Sequence, residues 1–171
     1  DINSFKTSNV KDMSFIFYGC SSLPHINLSN LDTSSVTTMT SMFSSCSSLT
    51  SIDFSNWNTT LVKTMNSMFE NCLLLNSLDL SQLDTSLVTN MEKIFQNCEK
   101  ISTIELPKLK MSSVTNFGYM FKGCSSLRFL NLSNLNTGSA KNMRDMINGC
   151  TQLASLDLSS FDTSLVTTMI N

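Results

Sequence analysis

The stretch MTSMFSSCSSLTSIDFSNWNT, residues 39–59, returns at residues 65–85 as MNSMFENCLLLNSLDLSQLDT, with Met, Phe, Cys and Leu in the same order and at the same pitch. Working outward from this pair, the register extends over the whole 171-residue chain. The six cysteines stand at 20, 46, 72, 98, 124 and 150, each 26 residues after the last. Val10, Val36, Val62, Val88, Val114, Ala140 and Val166 keep the same step, as do Met13, Met39, Met65, Met91, Phe117, Met143 and Met169. No insertion or deletion breaks the register. A period held this strictly predicts stacked, near-identical coils, each of which uses the coils above and below it to cover an apolar face that it cannot bury alone.

Two periodicities divide each unit. Val36, Met39, Met42, Phe43 and Cys46 are spaced by three and four, the stripe of a short helix. Asp32-Thr33-Ser34 precedes it and offers side-chain oxygens to a helix N-terminus. From Leu49 the spacing changes, and the alternation of Ile52 and Phe54 is that of a short strand. The expected fold class is an α/β repeat solenoid of about six and a half coils, with one short parallel strand and one short helix in each 26-residue unit. Val36, Met39, Met42, Phe43, Cys46, Leu49, Ile52 and Phe54 are the expected inward residues of one unit. Trp57 shares the register of Leu31, Leu83, Leu109, Leu135 and Phe161, so it too belongs to the core.

The spacing of Leu, Ile and Phe around each strand is the leucine-rich-repeat signature. More narrowly, SLDLSQLDTSLVTNMEKIFQNC, residues 77–98, resembles the 26-residue repeat of the BspA-like leucine-rich family of surface proteins (the DUF285 type). The likeness spans essentially all 171 residues. It implies a surface-exposed or secreted protein of a low-GC bacterium or a unicellular eukaryote, engaged in adhesion or recognition rather than catalysis. On this reading residues 1–171 are a single solenoid domain, an uncapped excerpt of a longer multi-repeat chain.

Composition narrows the function further. Charged residues make up only 14%, the net charge is −2, and the pI is near 5.2, so no overall field favours nucleic acid or an anionic lipid surface. No apolar run approaches the length of about 18–20 residues that a membrane-spanning helix needs, and no basic-then-apolar leader opens the sequence. Membrane insertion by this segment, nucleic-acid binding and a cofactor are therefore not expected. Zinc sites use cysteines two to four residues apart, and no such pair exists. Helices stacked side by side would hold equivalent cysteines about 10 Å apart, beyond disulfide reach. Buried, reduced, structural thiols are the expectation.

Candidate function lies on the outward face of the strands. One column contains Asp53, Asp79, Glu105 and Asp157, with Asn27 and Asn131 in the same register. It is either a solvated ladder held by neighbouring serines or an acidic row whose repulsion a cation or a basic ligand would offset. The stretch IELPKLKMSS, residues 104–113, departs most from the repeat, and one coil later Phe129 replaces a small polar residue. Glu105, Lys108, Lys110, Arg128 and Phe129 form the expected ligand-contact patch, since exposed aromatics beside charge act as interface anchors. His25 is the one histidine and has no singled-out nucleophile for a triad. The sequence thus predicts a non-catalytic recognition or adhesion domain, extracellular or on a cell surface, whose partner is a protein or glycan on a host or neighbouring cell. Self-association into fibres or a surface layer is the alternative.

Overall fold

Serine, threonine, asparagine and glycine are poor helix formers, and they decide the local structure of the Met–Phe–Cys rows. The computed structural model describes residues 2, 4–106, 109–133 and 135–170, with the backbone but not the side chain of Glu105. Among the described residues there is no helix. The expected helix over residues 36–46 is instead a run of tight turns. Met42 N donates to Met39 O at 3.3 Å, Ser44 N to Ser41 O at 3.1 Å and Cys46 N to Phe43 O at 3.0 Å. The intervening amides reach across to the following coil: Met39 N to Thr64 O, Ser41 N to Asn66 O, Phe43 N to Met68 O and Ser45 N to Glu70 O, at 2.7–3.1 Å. Ser41 and Ser45, each third in its turn, have φ of 53° and 62°. That left-handed value closes a type II turn and is incompatible with a continuing right-handed helix. The spacing of three and four survives because a row of such turns also directs residues 39, 42, 43 and 46 to one side, all of them buried.

The replacement of helices by turn rows sets the pitch. Neighbouring coils are joined as neighbouring parallel strands are, about 4.8 Å apart, rather than by a helix diameter. Isolated parallel bridges link Asp12, Thr38, Thr64, Asn90, Asn116, Asn142 and Thr168 in succession. On another side of the coil, β1 (Thr103–Glu105), β2 (Phe129–Asn131) and β3 (Ser155–Leu156) form a parallel sheet in the order β1-β2-β3, with Thr103 opposite Phe129 and Phe129 opposite Ser155. The expected strand of each coil is thus formed in three consecutive units.

Close stacking makes like residues meet. Phe17, Phe43, Phe69, Phe95 and Phe121 form a column of nearly parallel rings with centroids 5.4–5.8 Å apart. All eight residues expected inward between Val36 and Phe54 are buried, and Trp57 packs edge-on against Phe54. Several buried threonines are paired along the same axis, whereas Thr7 Oγ1, Trp57 Nε1 and Gln96 Oε1 are buried without a hydrogen-bond partner among the described residues. Thr33 Oγ1 donates to Asn58 O at 3.0 Å and accepts from Asn58 N at 2.8 Å. Thr59 does the same with Asp84, and Thr137 with Asp162. The Asp-Thr-Ser triplets therefore do not cap helices. Their threonines fasten one coil to the next, while Asp32 accepts from Ser34 N in an Asx turn.

Candidate binding surface

The outward columns follow from the strand alternation: Leu130 is buried between exposed Phe129 and Asn131. Asp53, Asp79 and Asp157 lie on this exposed side, as the sequence predicts. Each carboxylate accepts a backbone amide two residues on, from Ser55, Ser81 and Ser159, at 2.8–2.9 Å. Asn27 and Asn131 play the same part in their own coils. The column is accordingly a stack of Asx turns in which aspartate and asparagine are structurally equivalent. Bonds from the Ser159 side chain and backbone hold the Asp157 carboxyl below its usual range. The side chain of Glu105 lies outside the described residues. Among those that are described, no group of three or more histidine, cysteine or acidic residues is arranged to hold a metal.

The patch predicted from IELPKLKMSS is only partly assembled. Phe129 is 59% exposed in the middle strand of the sheet, flanked by Thr103 and Ser155. Arg128 is its chain neighbour, and its Nε donates to Gln152 Oε1 at 3.3 Å. Lys110 belongs to a different corner of the coil, where its Nζ pairs with Asp84 Oδ2 at 3.4 Å. Lys108 lies outside the described residues, as does the Glu105 side chain. Of the five predicted residues, Arg128 and Phe129 are neighbours in the chain only, and Lys110 is tied to the Asx-turn corner. His25 bonds to Thr50 Oγ1 through Nδ1 at 3.2 Å.

The thiols form a column of their own. Cys46, Cys72, Cys98, Cys124 and Cys150 each donate to a phenylalanine carbonyl of the preceding coil, from Phe17 O to Phe121 O, at 3.0–3.2 Å. All six cysteines are free, and Cys20 is exposed. Burial pushes Cys46 and Cys150 up to about 11 and Cys72 and Cys124 up to about 12. The 10 Å spacing expected from helices is superseded by the strand pitch, so bonding and burial, not distance, keep these sulfurs apart chemically.

A second cluster escapes sequence reasoning. On the turn rows, Lys93 Nζ, Lys122 Nζ and the Arg144 guanidinium stand 5.7, 5.1 and 5.7 Å from the centre of the Tyr119 ring. Asp145 pairs with Lys122 at 3.4 Å and with Arg144 at 3.7 Å. The outermost of these residues, Lys93 and Asp145, are 52 positions apart in the chain, and the strand-like pitch of the turn rows lets the side chains meet.

Stacked coils, in-register columns and an outward strand face define a repeat solenoid of the leucine-rich-repeat type. The model of the family described as "Mycoplasma protein of unknown function, DUF285" matches residues 1–105 and 100–171, and the chain belongs to that family. No curated protein matches the sequence. Among solved structures, the chain is similar to a leucine-rich repeat protein of Eubacterium ventriosum at 18% identity and a TM-score of 0.47, covering 75% of this chain and 30% of that one. It is also similar to the T. pallidum leucine-rich repeat protein at 20% identity and a TM-score of 0.49, covering 82% of this chain and 69% of that one.

Proposed function

We propose that this chain is a non-catalytic recognition domain of a secreted or cell-surface protein, and that it binds a protein or glycan of a host or neighbouring cell through the outward face of its strands. The observation that carries this reading is the exposed Phe129. A ring 59% open to water stands between Thr103 and Ser155 of the neighbouring strands, with Arg128 preceding it in the chain. Large aromatics flanked by guanidinium groups supply much of the energy of interfaces. The histidine and the buried thiols are engaged with structural partners, which supports a binding role over a catalytic one.

Adhesion of beads coated with the domain to cultured cells tests the proposal. Phe129→Ser is expected to leave the circular dichroism spectrum and melting temperature intact and to weaken adhesion about tenfold or more, as loss of an interface anchor does. Unchanged adhesion would remove the strand face as the contact surface. Sizing across dilutions separates a monomeric binder from a self-assembling fibre.

A further inference from the structure

We infer that Asn27, Asn58 and Asn131 are acceptors for N-linked oligosaccharide, and that a sugar chain on Asn131 governs access to Phe129. The inference rests on the secreted reading proposed above, because the transfer takes place as a chain enters the secretory pathway. Asn27-Leu28-Ser29, Asn58-Thr59-Thr60 and Asn131-Leu132-Ser133 each have the acceptor form Asn-x-Ser/Thr. In that reaction the asparagine Nδ2 attacks C1 of the first sugar of a lipid-diphosphate-linked oligosaccharide. The N–C1 bond forms and the C1–O bond to the diphosphate breaks. The diphosphate departs with the electron pair, and one Nδ2 proton passes to a base of the transferase.

Such triplets also arise by chance, and the structure supplies the weight. All three asparagines are exposed, and among the described residues none of their Nδ2 atoms donates a hydrogen bond. The amides committed to the stack, Asn97 Nδ2 to Asn71, Asn116 Nδ2 to Glu92 and Asn142 Nδ2 to Asn116, all lie outside such triplets. Oδ1 of Asn27, Asn58 and Asn131 accepts the amide of the third residue at 3.0–3.1 Å, and Thr60 and Ser133 add their hydroxyls at 2.7 Å. These bonds engage the oxygen and leave the nitrogen uncommitted, so a sugar on Nδ2 breaks no bond of the folded coil. The same turn is made by Asp53 and Asp157 in one register and by Asp32 and Asp84 in the other. The fold accepts either residue, and only the amide can carry a sugar.

Asn131 bears on the proposed contact surface. It and Phe129 are the two exposed residues of β2, with Leu130 buried between them, so their side chains rise from one face about 6.8 Å apart. An oligosaccharide rooted there stands over the ring. Asn27 shares this register but lies four coils away, and Asn58 sits at another corner.

Translation of the whole chain behind a cleavable secretion leader, with microsomes present, tests the acceptors. Gel mobility is expected to fall in three steps that peptide N-glycosidase reverses. Asn27→Asp, Asn58→Asp and Asn131→Asp should each remove one step, and without sugar each should melt as the wild type does. Asn136 makes the same turn to Gly138 N at 3.1 Å but has no third hydroxyl, so it should stay unmodified, and Gly138→Ser should add a step. An unshifted wild type, or steps that survive the matching aspartate variants, would overturn the acceptor assignment. For access, chain secreted from cultured eukaryotic cells is assayed for adhesion before and after enzymatic release of the sugar, which leaves aspartate and hence the turn. Release should raise wild-type adhesion about threefold or more and leave Asn131→Asp unchanged. Equal wild-type adhesion before and after release would overturn the masking of Phe129. If Phe129→Ser left adhesion of the sugar-free chain unaltered, the strand-face reading would fail while the mobility steps stood.

Discussion

At the scale of single residues, the repeated cysteine and threonine side chains are bonded to the backbone of an adjoining coil. A cysteine sulfur donates to a phenylalanine carbonyl one row back, and a threonine hydroxyl gives one hydrogen bond and takes another. The thiol column predicts an alkaline limit. Because folding raises these groups from 9.0 to about 11–12, the folded chain holds protons that the unfolded chain releases. Their contribution is complete below pH 9 and is lost as the pH rises through 11–12. The melting temperature should therefore be level near neutrality and fall steadily above pH 9. In a thiol-reagent assay on the native chain, Cys20 should react promptly, Cys150 more slowly and the four buried cysteines only on unfolding. Prompt reaction of all six would contradict the buried column.

At the scale of elements, the row of turns is the unit that sequence reading saw in outline and misnamed. Residues 39, 42, 43 and 46 point inward in a helix and in a turn row alike, so the apolar pattern does not separate the two. The distinguishing signal stands just before each cysteine, where Gly19, Ser45, Asn71, Asn97, Gly123 and Gly149 all have positive φ. Glycine and asparagine tolerate that conformation, and their recurrence there argues for a turn. The other positive-φ register holds Phe15, Ser41, Ser67, Lys93, Tyr119 and Asp145, a set with no such signature. The strand face and its aspartates were legible because alternation is local. The Tyr119 cluster was not, because it depends on the distance between rows. The phenylalanine column carries the element-scale prediction. Phe69→Ala, in mid-stack with neighbours on both sides at 5.7–5.8 Å, should cost about 3–5 kcal/mol in denaturant unfolding. Phe5→Ala, at a site 46% exposed, should cost far less.

At the scale of the molecule, every row offers the next the same donors and acceptors that it took from the last. Stability then approximates a sum over coils and their interfaces. Removing residues 66–91, one full period, joins Met65 to Glu92 without altering the register and should yield a shorter chain that melts cooperatively at a modestly lower temperature. Removing only residues 66–78 places Asp79 where Asn66 belongs and should abolish cooperative melting. If both deletions melted alike, the coils would not be held by in-register pairing. Met111 shows that one fastening can be omitted: it fills the threonine register and is buried, so apolar packing there replaces the bond that Thr85 and Thr137 make in their coils.

The sulfur-to-carbonyl bonds have a consequence for handling by oxidants. A chain with six thiols would ordinarily need an escort to avoid scrambled crosslinks when its surroundings turn oxidising. Here each interior sulfur is shielded and already committed to an oxygen, so peroxide or oxidised glutathione meets a nearly mute surface, with Cys20 the open handle.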